Sequence, residues 1–85
     1  MTKLEEKLLE LGYKYIESIN CFGKKYSRFI SIFIELNKDK SKVNDYDTEY
    51  TTYRFKKQEQ IDNLQQAFDE MQKDLGILKG VEDDK

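Results

Sequence analysis

At 85 residues and 10.2 kDa, with 38% hydrophobic and 38% charged side chains, the chain has room for one small domain and is too charged for a membrane protein. Six Tyr and five Phe make it too aromatic for a disordered one. The formal charge of −2 divides into +3 over residues 1–57 and −5 over residues 58–85, so the dense lysine and arginine face that binds nucleic acid by releasing counterions is missing.

The first element is a helix. Thr2 followed three residues later by Glu5 matches a capping box, Leu4, Leu8 and Leu11 fall on one face, and Gly12 supplies a residue able to take a left-handed conformation past the end. From Tyr13 the period becomes alternating through Tyr15, Ile16 and Ile19, which predicts strand one, followed by a hairpin loop at Asn20 to Lys24 that contains Gly23. Strand two is the best strand in the chain: Arg28, Ile30, Ile32, Ile34 and Leu36 alternate with Phe29, Ser31, Phe33 and Glu35. Its isoleucine face is the expected core.

Asn37 to Lys42 is a polar run that predicts a second hairpin loop. Strand three follows with an imperfect pattern, because Asp45, Asp47 and Glu49 share parity with Thr51, Tyr53 and Phe55, whereas Tyr46 and Tyr50 share parity with Arg54. Either the strand begins near Glu49 or a bulge near Thr51 and Thr52 lets the aromatics change faces, and the bulge is the preferred reading. A second helix is predicted from about Lys57 to Leu78, with Ile61, Leu64, Phe68, Met71, Leu75 and Leu78 as one continuous apolar stripe. That stripe could seat a coiled-coil partner, but packing on the chain's own sheet is the simpler use.

The expected fold is therefore α+β: an α-β-β-β-α two-layer sandwich, with a three-stranded antiparallel meander and both helices on one face. Residues 1–80 form the single domain and residues 81–85 a frayed acidic tail.

The opposite sheet face is where function is expected. Phe29 and Phe33 point away from the isoleucines on this reading, with Tyr46 and Tyr50 flanking them, an apolar patch of the kind that marks a partner surface or self-association into a homodimer. Asp45, Asp47 and Glu49, with Glu35 beside them, add an acidic row that can meet an arginine cluster, imitate nucleic-acid phosphates, or simply keep a strand edge from aggregating. Lys24, Lys25, Lys56 and Lys57 support an alternative. The α-β-β-β-α order resembles that of double-stranded RNA-binding domains, which place lysines at the start of the second helix, although Glu59 and Asp62 follow at once here.

Catalysis finds no foothold in the residues. There is no His, Cys21 has no visible base, and no glycine-rich phosphate loop or metal-ligand spacing occurs, so neither an enzyme nor a metal or cofactor is expected. No apolar run approaches the roughly 20 residues that cross a bilayer. The single Cys21 can close no internal disulfide, and Lys3, Glu5, Glu6 and Lys7 interrupt any leader-like apolar run, which gives the expectation of a cytoplasmic protein.

The opening Thr2 to Tyr13 (TKLEEKLLELGY) and the segment Gln58 to Phe68 (QEQIDNLQQAF) resemble the small uncharacterised proteins carried by phages and mobile elements of low-GC Gram-positive bacteria. The resemblance covers both ends and leaves the sheet unmatched. It implies an accessory role in a bacterial host cell, similar to that of anti-CRISPR and other anti-defence inhibitors that bind a host protein or protein complex and occlude a nuclease.

Overall fold

The Thr2 hydroxyl accepts a hydrogen bond from the Glu5 N–H (3.2 Å) while the Glu5 carboxylate accepts one from the Thr2 N–H (2.9 Å), so the expected capping box opens helix α1, Lys3–Glu10. At the other end Gly12, at φ +97°, lets its own N–H reach the Leu9 carbonyl and the Tyr13 N–H reach the Leu8 carbonyl. This closure turns the chain back sharply and drops Tyr13 beside Leu4 and Leu8 in the core. The computed structural model describes residues 1–50 and 57–82, with side chains for 1–50 and 62–82.

Four strands follow, one more than the sequence pattern predicts: β1 (Lys14–Ile16), β2 (Cys21–Lys25), β3 (Ile30–Leu36) and β4 (Val43–Tyr50), then helix α2 (Lys57–Glu82). They form one antiparallel sheet in the order β1-β2-β3-β4. The extra strand comes from the segment expected to be a hairpin loop. The chain turns earlier, through a short 3-10 turn at Glu17–Ile19 closed by Asn20 in the left-handed region (φ 52°), and Cys21 to Lys25 then run back as β2. Asn20 is the turn residue; Gly23 lies within a strand.

The core lies between one face of the sheet and the helices: Leu4 and Leu8 from α1, Tyr13, Phe22, Ile32, Ile34 and Leu36 from the sheet side, and Met71 and Leu78 from α2 form one buried cluster. The isoleucine face of β3 is thus the core face, as the alternation predicts, and Ile30, Ile32 and Ile34 are all but inaccessible to solvent. Leu36 opposes Val43 while Glu35 opposes Asp45, which leaves Asn44 as an extra residue on β4. This irregularity lets both Val43 and the following Tyr46, Thr48 and Tyr50 lie on the core side of the sheet, and Asp45, Asp47 and Glu49 on the other. One parity change thus lies at the start of the strand, at Asn44; the expected bulge at Thr51 and Thr52, with Tyr53 and Phe55, lies outside the described residues.

On α2 the buried line is Ala67, Met71, Asp74 and Leu78, rotated by about one position from the expected stripe. Leu64 and Leu75 flank it half-buried, Phe68 is 44% exposed, and the side chain of Ile61 lies outside the described residues. Asp74 sits in the middle of this line because an inward-facing lysine waits for it. Lys24, which pairs across the ladder with Ile32, points to the core side and its Nζ lies 2.5 Å from Asp74 Oδ2 and 3.3 Å from Glu70 Oε2. The same nitrogen donates to the Leu11 carbonyl and lies over the Tyr13 ring, whose hydroxyl donates to Asp74 Oδ2 at 2.8 Å. Burial first, then that hydrogen bond and the charges of Asp74 and Glu70, push the Tyr13 hydroxyl far above its ordinary value of 10.0, so it stays a donor.

Two consequences are measurable. Helix α2 runs through Gly76 and Gly80 to Glu82, so Val81 and Glu82, expected in the tail, form its last turn, and the Glu82 carboxylate accepts the Val43 N–H. A Cβ at Gly76 or Gly80 would meet nothing, so Gly76→Ala and Gly80→Ala should each stabilise the fold by about 0.5–1 kcal/mol in thermal or denaturant melts. Removing one member of the buried pair should do the reverse. Asp74→Ala strands the Lys24 ammonium and should cost about 3 kcal/mol, whereas Lys24→Met combined with Asp74→Leu should recover most of that loss in the same melt.

Candidate functional site

Strand parity assigns the outer face of the sheet residue by residue. Lys14 and Ile16 of β1, Cys21, Gly23 and Lys25 of β2, Ser31, Phe33 and Glu35 of β3, and Asp45, Asp47 and Glu49 of β4 all lie on the side away from the buried core cluster. Among the described residues neither helix contributes to this side beyond the Gly12 corner.

The centre of the face is apolar. An added Cβ at Gly23 would lie 2.7 Å from Ile16 Cδ1 and 3.2 Å from Phe33 Cε1, so the Phe33 ring leans across the space that glycine leaves and Ile16 closes it from the other side. Phe33 is half-buried by its own sheet for this reason. Beside it a concavity of about 300 Å³ is lined by Ile19, Cys21, Phe33, Glu35, Asp45, Tyr46, Asp47 and Glu49. The charges are segregated around this floor: four carboxylates on β3 and β4, two lysines on β1 and β2.

The acidic half has a measurable field. Burial, followed by the carboxylates of Glu35, Asp45 and Glu49, pushes the Cys21 thiol up from its ordinary value of 9.0, with Lys40 opposing. Asp45 Oδ1 accepts the N–H of Tyr46, and Asp47 Oδ1 accepts that of Thr48, each at 2.8 Å. Asn44 donates to Glu35 Oε2.

The sequence-predicted site residues thus divide between two faces. Phe33, Asp45, Asp47 and Glu49 are brought together, with Glu35, on the outer face. Tyr46 and Tyr50 oppose Ile34 and Ile30 and stand on the core side, Tyr46 against a groove lined by Gln72, Leu75 and Lys79 of α2. Phe29 precedes β3: it lies in the turn that links β2 to β3, with the Arg28 guanidinium 5.2 Å from its ring centroid, so the alternation that paired it with Phe33 does not extend to it. Of the basic set, Lys24 is engaged in the core and Lys25 faces outward, while Lys56 and the side chain of Lys57 lie outside the described residues.

Sequence reasoning missed Ile16, Ile19 and Cys21 on this face. The available signal was the alternation Cys21, Gly23, Lys25 against Phe22 and Lys24, which only emerges once the turn is placed at Asn20. Among the described residues no three His, Cys, Asp or Glu side chains are grouped so as to hold a metal ion, and no helix is long and apolar enough to cross a membrane. What the face offers chemically is a hydrophobic floor with a carboxylate rim, suited to a cationic, partly apolar surface.

A direct check of the local field uses Cys21 as reporter. Its reaction with a neutral thiol reagent should reach half its maximal rate above pH 9, because a raised thiol value leaves less thiolate at any given pH. Asp45→Asn with Glu49→Gln should move that midpoint downward, read from the pH profile of the rate.

No protein-family model, curated protein or solved structure matches the chain, so the functional reading rests on this geometry.

Proposed function

We propose that this chain is a non-enzymatic protein-binding module, a small phage-type accessory protein that acts in the cytoplasm of a bacterial host and inhibits a CRISPR-type defence nuclease complex. The observation that supports this reading is the outer sheet face, where Phe33 leans over Gly23 with Glu35, Asp45, Asp47 and Glu49 along one side. Carboxylates two residues apart on a strand repeat at about 7 Å. Such a row can compete with successive phosphates for the basic surface that a nuclease uses to hold nucleic acid.

The apolar floor adds what charge alone lacks. Salt screens exposed ion pairs, whereas a desolvated aromatic contact at the centre of the patch persists, so the two together give both steering and residence. The partner expected is a protein surface rich in arginine and lysine.

The test is capture and inhibition. The immobilised protein, challenged with a purified CRISPR-type nuclease complex from a low-GC Gram-positive host, should bind it and slow its cleavage. Asp45→Lys, Asp47→Lys and Glu49→Lys together should weaken binding at least tenfold with an unchanged circular dichroism spectrum. Gln72→Ser, exposed on α2 at the other side of the sheet, should leave it unaltered. Full binding and inhibition by the triple-lysine variant would remove the acidic row from the site.

A further inference from the structure

The outer face carries opposite charges on its two halves, and the strand register places them in one row. Lys14 opposes Gly23, Gly23 opposes Phe33, and Phe33 opposes Asp47, so a single line across all four strands reads lysine, glycine, phenylalanine, aspartate. We infer that the free protein pairs reversibly with a second copy of itself through this face, about a two-fold axis that runs parallel to the strands between β2 and β3.

The axis follows from charge. Two sheets brought face to face by a two-fold rotation can be related by an axis along the strands or by one across them. Rotation about an axis along the strands keeps each residue's position along its strand and reverses the strand order. Lys14 then meets Asp47 of the second copy, and Asp47 meets Lys14 of the second copy. Rotation about an axis across the strands sets β1 on β1 and β4 on β4, which puts lysine against lysine and the carboxylate row against its own image. Both arrangements keep the strands of the two sheets aligned, as stacked sheets usually are, but only the first sets Lys14 against Asp47.

The middle of the face suits this docking. Phe33, Gly23 and Ile16 form an apolar floor, in which the ring and the isoleucine crowd the space above the glycine, and with Gly12, Lys14 and Ser31 they line a groove. Under the rotation, the Phe33 ring of each copy covers the floor of the other.

Area sets the strength. Four strands at about 4.8 Å spacing and about six residues of length give a face of roughly 400 Å² per copy, half the ~800 Å² that a standard stable interface buries. Glu35, Asp45, Asp47 and Glu49 also outnumber Lys14 and Lys25. Pairing is therefore weak, with a Kd in the range of about 10 μM to 1 mM, and sensitive to salt. This inference needs only the open face and is independent of who the heterologous partner is; the two uses exclude each other, so dilution frees the face for another protein.

The experiment is a charge swap read by sedimentation equilibrium from about 10 μM to 1 mM. The unmodified protein should rise with concentration from 10.2 kDa toward twice that mass. Lys14→Glu and Asp47→Lys, both at exposed positions, should each stay monomeric to at least tenfold higher concentration, with melting curves like that of the parent. Their equimolar mixture should regain dimer, since each altered side chain then faces an opposite charge in the other. An unmodified protein that is monomeric throughout, or a dimer that neither variant weakens, or a mixture that stays monomeric, overturns the pairing. Lys14→Glu keeps the whole acidic row, so its capture of the nuclease complex reports on heterologous docking separately: loss of pairing with retained capture leaves the proposed function standing, and undiminished capture by the triple-lysine variant removes the acidic row from the heterologous site while the pairing of the unmodified protein still stands.

Discussion

The structure turns on a lysine that strand geometry forces inward. Phe22 must be buried to close the core between β1 and β3, and the two-residue period of a strand then places Lys24 on the same side. A slip of one residue would bury Cys21, Gly23 and Lys25 in place of Phe22 and Lys24, losing an aromatic from the core. An ammonium in that position is tolerated only with a full set of acceptors, and it has one: Asp74, Glu70 and the Leu11 carbonyl, with the Tyr13 ring beneath it. These acceptors come from two parts of the chain, helix α2 and the close of α1, and the lysine comes from a third. The pair therefore fixes the rotation of α2 about its own axis, the exit of α1, and the side of the sheet that both helices cover.

That choice of side decides what the other face can be. With the helices anchored to the Lys24 side, Phe33, Ile16 and Cys21 have no element of the described chain above them. The sheet responds locally: Gly23 contributes no side chain, and the neighbouring Phe33 and Ile16 fold down over it, which protects backbone that would otherwise be bare. A methyl at Gly23 would push both away and roughen the floor. The same glycine thus serves the sheet's integrity and the close packing of Phe33 and Ile16 on its outer surface.

Much of this was legible from residue types. The capping box, the Gly12 closure, the isoleucine face of β3, the polar hairpin at Asn37 to Lys42 and the start of α2 are local patterns with local causes, and each stands where the pattern puts it. What escaped was tertiary. Gly23 and Asn20 together read as a loop, because a glycine that is stabilised by a cross-strand ring cannot be told from a turn glycine in sequence. Asp74 forms no part of the apolar stripe that periodicity picks out, although an acid three residues after Met71 and four before Leu78 occupies the centre of the buried line. The tyrosines of β4 were assigned to the outer face because the extra residue at Asn44, which resets their parity, has no signature of its own.

The outer edge of β4, the last strand of the sheet among the described residues, narrows how the outer surface can be used. As the last strand in the sheet, β4 would offer N–H groups to an incoming strand, the simplest route to association for a small β protein. At Tyr46 and Thr48 those groups are instead taken by the carboxylates of Asp45 and Asp47, one residue back in each case. An added strand would have to displace both and push its own carbonyl oxygens against the two negative charges. The acidic residues thereby close the edge with one oxygen each and leave the other for the face, which directs recognition away from backbone pairing and onto side-chain chemistry around Phe33.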